Sequence, residues 1–228
     1  MGIIGVVAAL TIPSLVAKFQ RSIVENRLKN TYAVLANGIK LAEEEFGVGF
    51  NPLSDLQGSG YNKENAKKVF EQYFAPYIKI NFRYKDDECV KLSESYSLVQ
   101  NSQKYEDYNG ACYALMNGVS IIFWAGKNAA DKNYSMPLRV VINPTKKKKI
   151  EGRDVFAFRI ISGNNGLYLG TIVKELDPNM KSEKLLEYCG NQSGRINILG
   201  GSWSRSNFCS ELLMRNSWKI PVNYPVKF

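Results

Sequence analysis

Read only as hydrophobic and polar positions, the chain opens on an uncharged segment, residues 1–17, and then narrows to an apolar stripe. Ile12, Leu15, Val16, Phe19, Ile23, Leu28, Tyr32, Leu35, Ile39, Ala42 and Phe46 recur at steps of three, four and occasionally five. That period predicts one helix over residues 3–46, with these side chains along one side and Lys18, Arg21, Glu25, Arg27, Lys29 and Lys40 mostly elsewhere. Gly47 fits a C-terminal stop. At about 1.5 Å per residue the rod is roughly 66 Å long, more than a small head can cover. The organisation expected is therefore a helix over 1–47, apolar in 2–17 and amphipathic in 18–46, and a head domain over 48–228. The second half of the helix packs on the head, and the apolar half enters lipid or packs on other copies.

The same reading places the elements of the head. Residues 48–60 are glycine-rich and polar and break the period; Ala66, Val69, Phe70, Tyr73 and Phe74 then mark a helix that stops at Pro76. Residues 81–95 read as a charged, irregular connection carrying Cys89. Residues 112–116 and 119–124 flank Asn117-Gly118, which predicts a hairpin with a two-residue type I′ turn. Strands are expected at 138–142 and 155–161, and Gly163-Asn-Asn-Gly166 turns the chain into a further strand over 167–173. Ser182 caps a short helix reaching residue 188 with Leu185 and Leu186 inward, and 190–206 reads as a surface loop. Residues 208–214 form a last helix or strand with Leu212 and Leu213 buried, and two prolines extend the tail over 216–225. The fold class is α+β: a long N-terminal helix packed on an antiparallel β-sheet.

Composition narrows the chemistry. With 228 residues, 45% hydrophobic and 22% charged, the chain is long enough and apolar enough for a substantial folded domain. There is no histidine, which removes Ser-His-Asp and Cys-His sites, and no glycine-rich phosphate loop or paired-carboxylate signature stands out. An enzyme is not expected, and neither is a cofactor or metal. Glu43-Glu44-Glu45 points three ways on a helix end and reads as solvated. Cys89, Cys112, Cys189 and Cys209 lack the paired spacing of a zinc site. They admit three disulfide pairings, or four reduced thiols. Pairing in sequence order would close loops of about 20 residues, each stabilising by very roughly 3 kcal/mol, and would suit an extracytoplasmic domain. Of the net charge of +9, the densest patch is Lys146, Lys147, Lys148 and Lys149. It is either a solvated loop between strands or a polyanion patch.

Residues 2–15, Gly-Ile-Ile-Gly-Val-Val-Ala-Ala-Leu-Thr-Ile-Pro-Ser-Leu, resemble the N-terminal helix of type IV pilin-like proteins, the pilins and the pseudopilins of type II secretion. Asn117-Gly-Val-Ser-Ile-Ile-Phe123, Gly152-Arg-Asp-Val-Phe-Ala-Phe158 and the closing Cys209 with Trp218-Lys-Ile-Pro-Val-Asn-Tyr-Pro225 look like the globular part of a bacterial subgroup of them. Family members start about ten residues earlier, with a basic leader, a processing site and a glutamate. By that likeness this chain is expected to be truncated at its N-terminus or to have its start codon assigned too late. The resemblance implies a membrane and assembly helix carried by Gly2, Ile3, Ile4, Gly5, Val6, Val7, Ala8, Ala9, Leu10, Ile12, Pro13 and Leu15. Its small residues allow close backbone approach, and Pro13 lacks a backbone donor. Some pseudopilins bind calcium in the head, but the acidic cluster this requires is lacking.

The function implied is a structural subunit of a type IV pilus or type II secretion filament. Its partners are copies of itself or related pilin-like subunits and the bacterial inner membrane. The head is extracytoplasmic, or displayed on a cell-surface filament. The alternative is a non-polymerising, membrane-tethered module that captures DNA or another polyanion through Lys146, Lys147, Lys148 and Lys149.

Overall fold

The computed structural model describes residues 3–54, 56, 60–94, 109–127, 134–163, 166–192, 195–198 and 201–228. In the first helix it describes side chains from residue 12 onward. That helix, α1, spans Ile3–Phe46 without a break at Pro13. Gly47 ends it with a φ of 90°, its amide donating to the Glu43 carbonyl at 2.9 Å. A side chain is rarely tolerated in that left-handed conformation, which is why glycine stops the helix there. Among the described residues, no helix is long and apolar enough to cross a membrane.

The single stripe read from the sequence is in fact two. Val24, Leu28, Thr31, Leu35, Ile39 and Ala42 are buried against the head. At about 100° per residue, Ile12, Leu15, Val16 and Phe19 point on average roughly 145° round the helix from that set, and all four are exposed. The five-residue step from Ile23 to Leu28, which advances by about 140° instead of returning to the same side, marks the change of face. On the head side, the N-terminal half of α1 presents Pro13, Ser14, Ala17 and Gln20 instead.

The head is an antiparallel sheet in the order β2-β3-β4-β6-β7-β8. These strands are Ile80–Arg83, Ala111–Leu115, Ser120–Phe123, Tyr134–Val141, Val155–Gly163 and Gly166–Gly170. A short β5, Gly126–Lys127, pairs with the start of β6, and β1, Gly60–Tyr61, pairs with β5. Alternation along the strands sends Ile121, Phe123, Leu138, Val140, Phe156, Phe158, Leu167 and Leu169 into one core shared with α1. Helix and head are thus one packed unit. The Tyr32 hydroxyl of α1 also donates to the Leu169 carbonyl of β8 at 2.8 Å. The opposite face, at Cys112, Ile122, Val141 and Val155, is covered by Cys89 and Leu92. With both faces covered there, β4 is buried at every position and its sequence cannot alternate.

Several expectations change. Residues 81–95 are not an irregular connection: they finish β2 and form α3, Asp86–Glu94, which opens on three acidic residues placed favourably at a helix N-terminus. The helix at 63–69, α2, is capped by the Asn62 side chain, which accepts from the Asn65 amide at 2.7 Å. It widens into a π turn over Phe70–Phe74 and a 3₁₀ turn over Ala75–Tyr77, where Pro76 sits. The β3–β4 loop has three residues, Met116 to Gly118, and only Gly118, at φ 76°, is left-handed. A type I′ turn would need a positive φ at Asn117 as well. Tertiary contact decides otherwise: the Asn117 side-chain amide donates to Thr31 of α1 at 3.0 Å, and its oxygen accepts from the Val119 amide at 3.1 Å.

The strand begun at Gly166 stops at Gly170, and Thr171 precedes α4, Ile172–Leu176. Ser182 is the first residue of α5, Ser182–Gly190, rather than its cap. The segment 190–206, expected as a surface loop, holds the hairpin of β9, Arg195–Ile198, and β10, Gly201–Ser204. The last helix is α6, Arg205–Arg215, with Leu212 and Leu213 buried as expected. The tail is not extended: Ser217 and Trp218 are left-handed, and the Tyr224 amide closes a turn onto the Pro221 carbonyl at 3.1 Å. It is drawn back by Glu25, whose carboxylate accepts from the Ile220 amide at 2.8 Å and from Lys219 at 3.0 Å.

Candidate functional site

Two surfaces stand out, both on or beside α1. The first is its outward face. Ile12, Leu15, Val16 and Phe19 lie there exposed, Ile23 continues the line half-buried, and Val34 and Leu41 extend it beside the head. Asn26 and Asn30 interrupt it. Large exposed apolar groups in a row mark an interaction surface, whereas scattered ones do not. Of the residues singled out from the sequence, Ile12, Pro13 and Leu15 are on the exposed helix. Ile3, Ile4, Gly5, Val6, Val7, Ala8, Ala9 and Leu10 belong to its backbone, and Gly2 lies outside the described residues.

The second surface is the end of the head from which α1 emerges. The loop between β6 and β7 winds around Asp154, whose side chain is 1% exposed. Asp154 accepts from Asn143 at 3.2 Å, Lys146 at 3.2 Å, the Ile150 amide at 2.9 Å and Arg153 at 3.0 and 3.1 Å. Burial alone would raise its pKa, but the hydrogen bonds from Arg153, Ile150 and Asn143 outweigh that and hold the carboxyl below the usual range. Arg27 ties the loop to α1 by donating to the Ile142 carbonyl and the Asn143 side-chain oxygen, both at 3.3 Å. A cleft of about 210 Å³ runs between Gln20, Ile23 and Val24 of α1 and Asn143, Lys146, Arg153, Asp154 and Phe228.

The four lysines of the loop are not equivalent. Lys146 is ion-paired to Asp154. Lys149 is buried and donates to the Lys146 carbonyl at 2.8 Å; burial lowers its pKa against the opposing pull of Asp154. Lys147 and Lys148 are exposed. The patch is therefore half structural.

All four cysteines are disulfide-bonded. Cys89–Cys112 ties α3 to β3, and Cys189–Cys209 ties α5 to α6. Two buried carboxylates escaped the sequence reading. Glu211 accepts from Thr171 and, at 2.7 Å, from Arg215, whose fork also donates to the Pro178 carbonyl at 3.3 Å. Glu151 accepts from Ser206 at 3.1 Å. The Glu211–Arg215 spacing of four on a helix was a readable signal; the partners of Glu151 lie 55 residues apart and gave none. Both carboxylates are enclosed by core and neither lines the cleft. Among the described residues, no group of three or more His, Cys, Asp or Glu could hold a metal ion.

No curated protein and no solved structure matches the chain. A family model matches residues 14–228, and the chain belongs to that family, described as a family of unknown function (DUF6613).

Proposed function

We propose that the protein is a filament subunit of the type IV pilin or type II secretion pseudopilin kind, assembling through α1. One observation carries this reading: the helix has two apolar faces roughly 145° apart, one used by the head and one left open from Ile12 to Leu41. A helix serving only its own head needs one. Before assembly the outward residues of the N-terminal half would sit in lipid, and in a filament they would exchange lipid for neighbouring helices, where close packing replaces the hydrophobic drive. Two disulfides suit a head outside the cytoplasm, because such bonds persist in oxidising compartments. Glu151 and Glu211 lie away from the cleft, and Asp154, which lines it, is taken up by Asn143, Lys146, Ile150 and Arg153, in keeping with a structural role. The polyanion reading has less support, since Lys146 and Lys149 are engaged within their own loop. The test is to express the complete gene product in its native host and shear the cells. Recovery of the chain in surface fibres or in a secretion apparatus is expected; a product that stays monomeric in membranes refutes the proposal.

A further inference from the structure

We propose that the end of the head around the exit of α1 is a docking surface for anionic lipid headgroups, which sets the head upright on a bilayer. This rests on the reading that the N-terminal half of α1 meets lipid. The cations gather at one level of the helix. Lys18 and Arg21 are on α1 itself, with the Arg21 guanidinium 5.6 Å from the ring centre of Phe228. Exposed Lys147 and Lys148 follow Lys146 at the mouth of the cleft, and exposed Lys227 precedes Phe228 there.

The nearby acidic side chains are already engaged. Glu25 has a side-chain exposure of 14% and holds Lys219 and the Ile220 amide, while Glu151 and Asp154 are buried and already hydrogen-bonded. The charge is also polarised along α1, because Glu43, Glu44 and Glu45 lie at the far end. The exposed apolar residue Phe19 follows Lys18 and precedes Arg21 by two positions. Aliphatic stems on such a helix reach along apolar surface while their charged heads stay at the interface. Cations near an anionic leaflet are drawn to it over about a Debye length. A nucleic acid would instead need an open basic groove, and here a protruding apolar helix stands in the middle of the cations.

The experiment is flotation of the full chain with vesicles of phosphatidylcholine alone and of phosphatidylcholine containing about a third phosphatidylglycerol, the surface charge that recruits basic segments. The wild type is expected to bind the anionic vesicles more tightly, with the excess lost as salt rises. K147A/K148A should bind them roughly 30-fold more weakly, from about 1 kcal/mol per lysine at an anionic surface, with unchanged binding to phosphatidylcholine. Both lysines are exposed, so an unchanged melting curve should accompany the loss. Equal binding to the two vesicle types, no effect of K147A/K148A, or tighter binding to duplex DNA than to anionic vesicles at the same salt overturns the proposal. Phe19→Glu reports on the underlying reading separately: if it floats with phosphatidylcholine as well as the wild type does, helix insertion fails, whatever the anionic vesicles show.

Discussion

Leu15 and Leu35 are the same residue on the same helix, and the two faces of α1 assign them opposite consequences. Leu35 is 2% exposed and sits in the core shared with the sheet, whereas Leu15 is 68% exposed. Leu35→Ala removes buried carbons and leaves a cavity, which should lower the unfolding free energy by about 3 kcal/mol. Leu15→Ala removes exposed carbons from a helix that tolerates alanine, so its effect should stay within about 0.5 kcal/mol. Association reverses the order. Truncation removes three carbons worth about 0.8 kcal/mol each when newly buried. Roughly two-thirds of that area is still open at Leu15, so about 1.6 kcal/mol is lost per contact, or roughly 15-fold in affinity. Urea unfolding with the disulfides intact measures the first quantity, and sedimentation of the chain in detergent-free buffer, where the outward face meets water, measures the second. If Leu15→Ala destabilises the fold by as much as Leu35→Ala, or leaves association untouched, the division of α1 into two working faces is wrong.

Two further outcomes follow from the packing. Asp154→Asn should cost about 3 kcal/mol, the lower end for removing one charge of a buried pair, since Arg153 and Lys146 lose their opposing charge and one accepting oxygen becomes a donor. Because the folded-state pKa of Asp154 lies below its ordinary value near 3.9, its stabilisation is present above that value and lost as pH falls towards the lower folded one. Urea midpoints measured from about pH 5 down to about pH 2, across and below the ordinary carboxyl value, should fall less steeply in the variant than in the wild type; equal slopes would refute the assignment. Gly38→Ala sets two effects against each other. Helix propensity favours alanine by about 1 kcal/mol, but its Cβ would lie 2.4 Å from Ile78 Cγ1. Overpacking costs about 1–3 kcal/mol, so a lower melting temperature is expected and a higher one would show that Ile78 yields freely.

How much of this was legible depended on whether local pattern or distant contact decides. The length of α1 and its stop at Gly47 were readable, because an amphipathic period and a glycine act locally. Which apolar residues face the head was not, since both faces are apolar and a wheel without the head has no origin. The five-residue step was the available clue. The β3–β4 hairpin was readable but its turn type was not, because Asn117 is held by Thr31, 86 residues away in sequence. Helix α3 was hidden by the charges that stabilise its first turn, although Cys89, Val90 and Leu92 carry its buried side. The short strands β9 and β10 were masked by glycine and serine. In the lysine loop the run itself was plain. Its division into engaged and exposed members depended on Asp154, whose burial follows from the tertiary packing of the β6–β7 loop on α1.

As proposed above, the outward face of α1 is a seam between copies. A photoreactive phenylalanine analogue at position 19, in the full chain in detergent or lipid, tests it most directly when the cross-linked product is mapped by mass spectrometry. Copy-to-copy adducts are expected along Ile12, Val16, Ile23, Val34 or Leu41 of the partner helix, and few from the same probe at Ala17 on the head-facing side. No adducts at any concentration, or adducts confined to the sheet of the head, would contradict it.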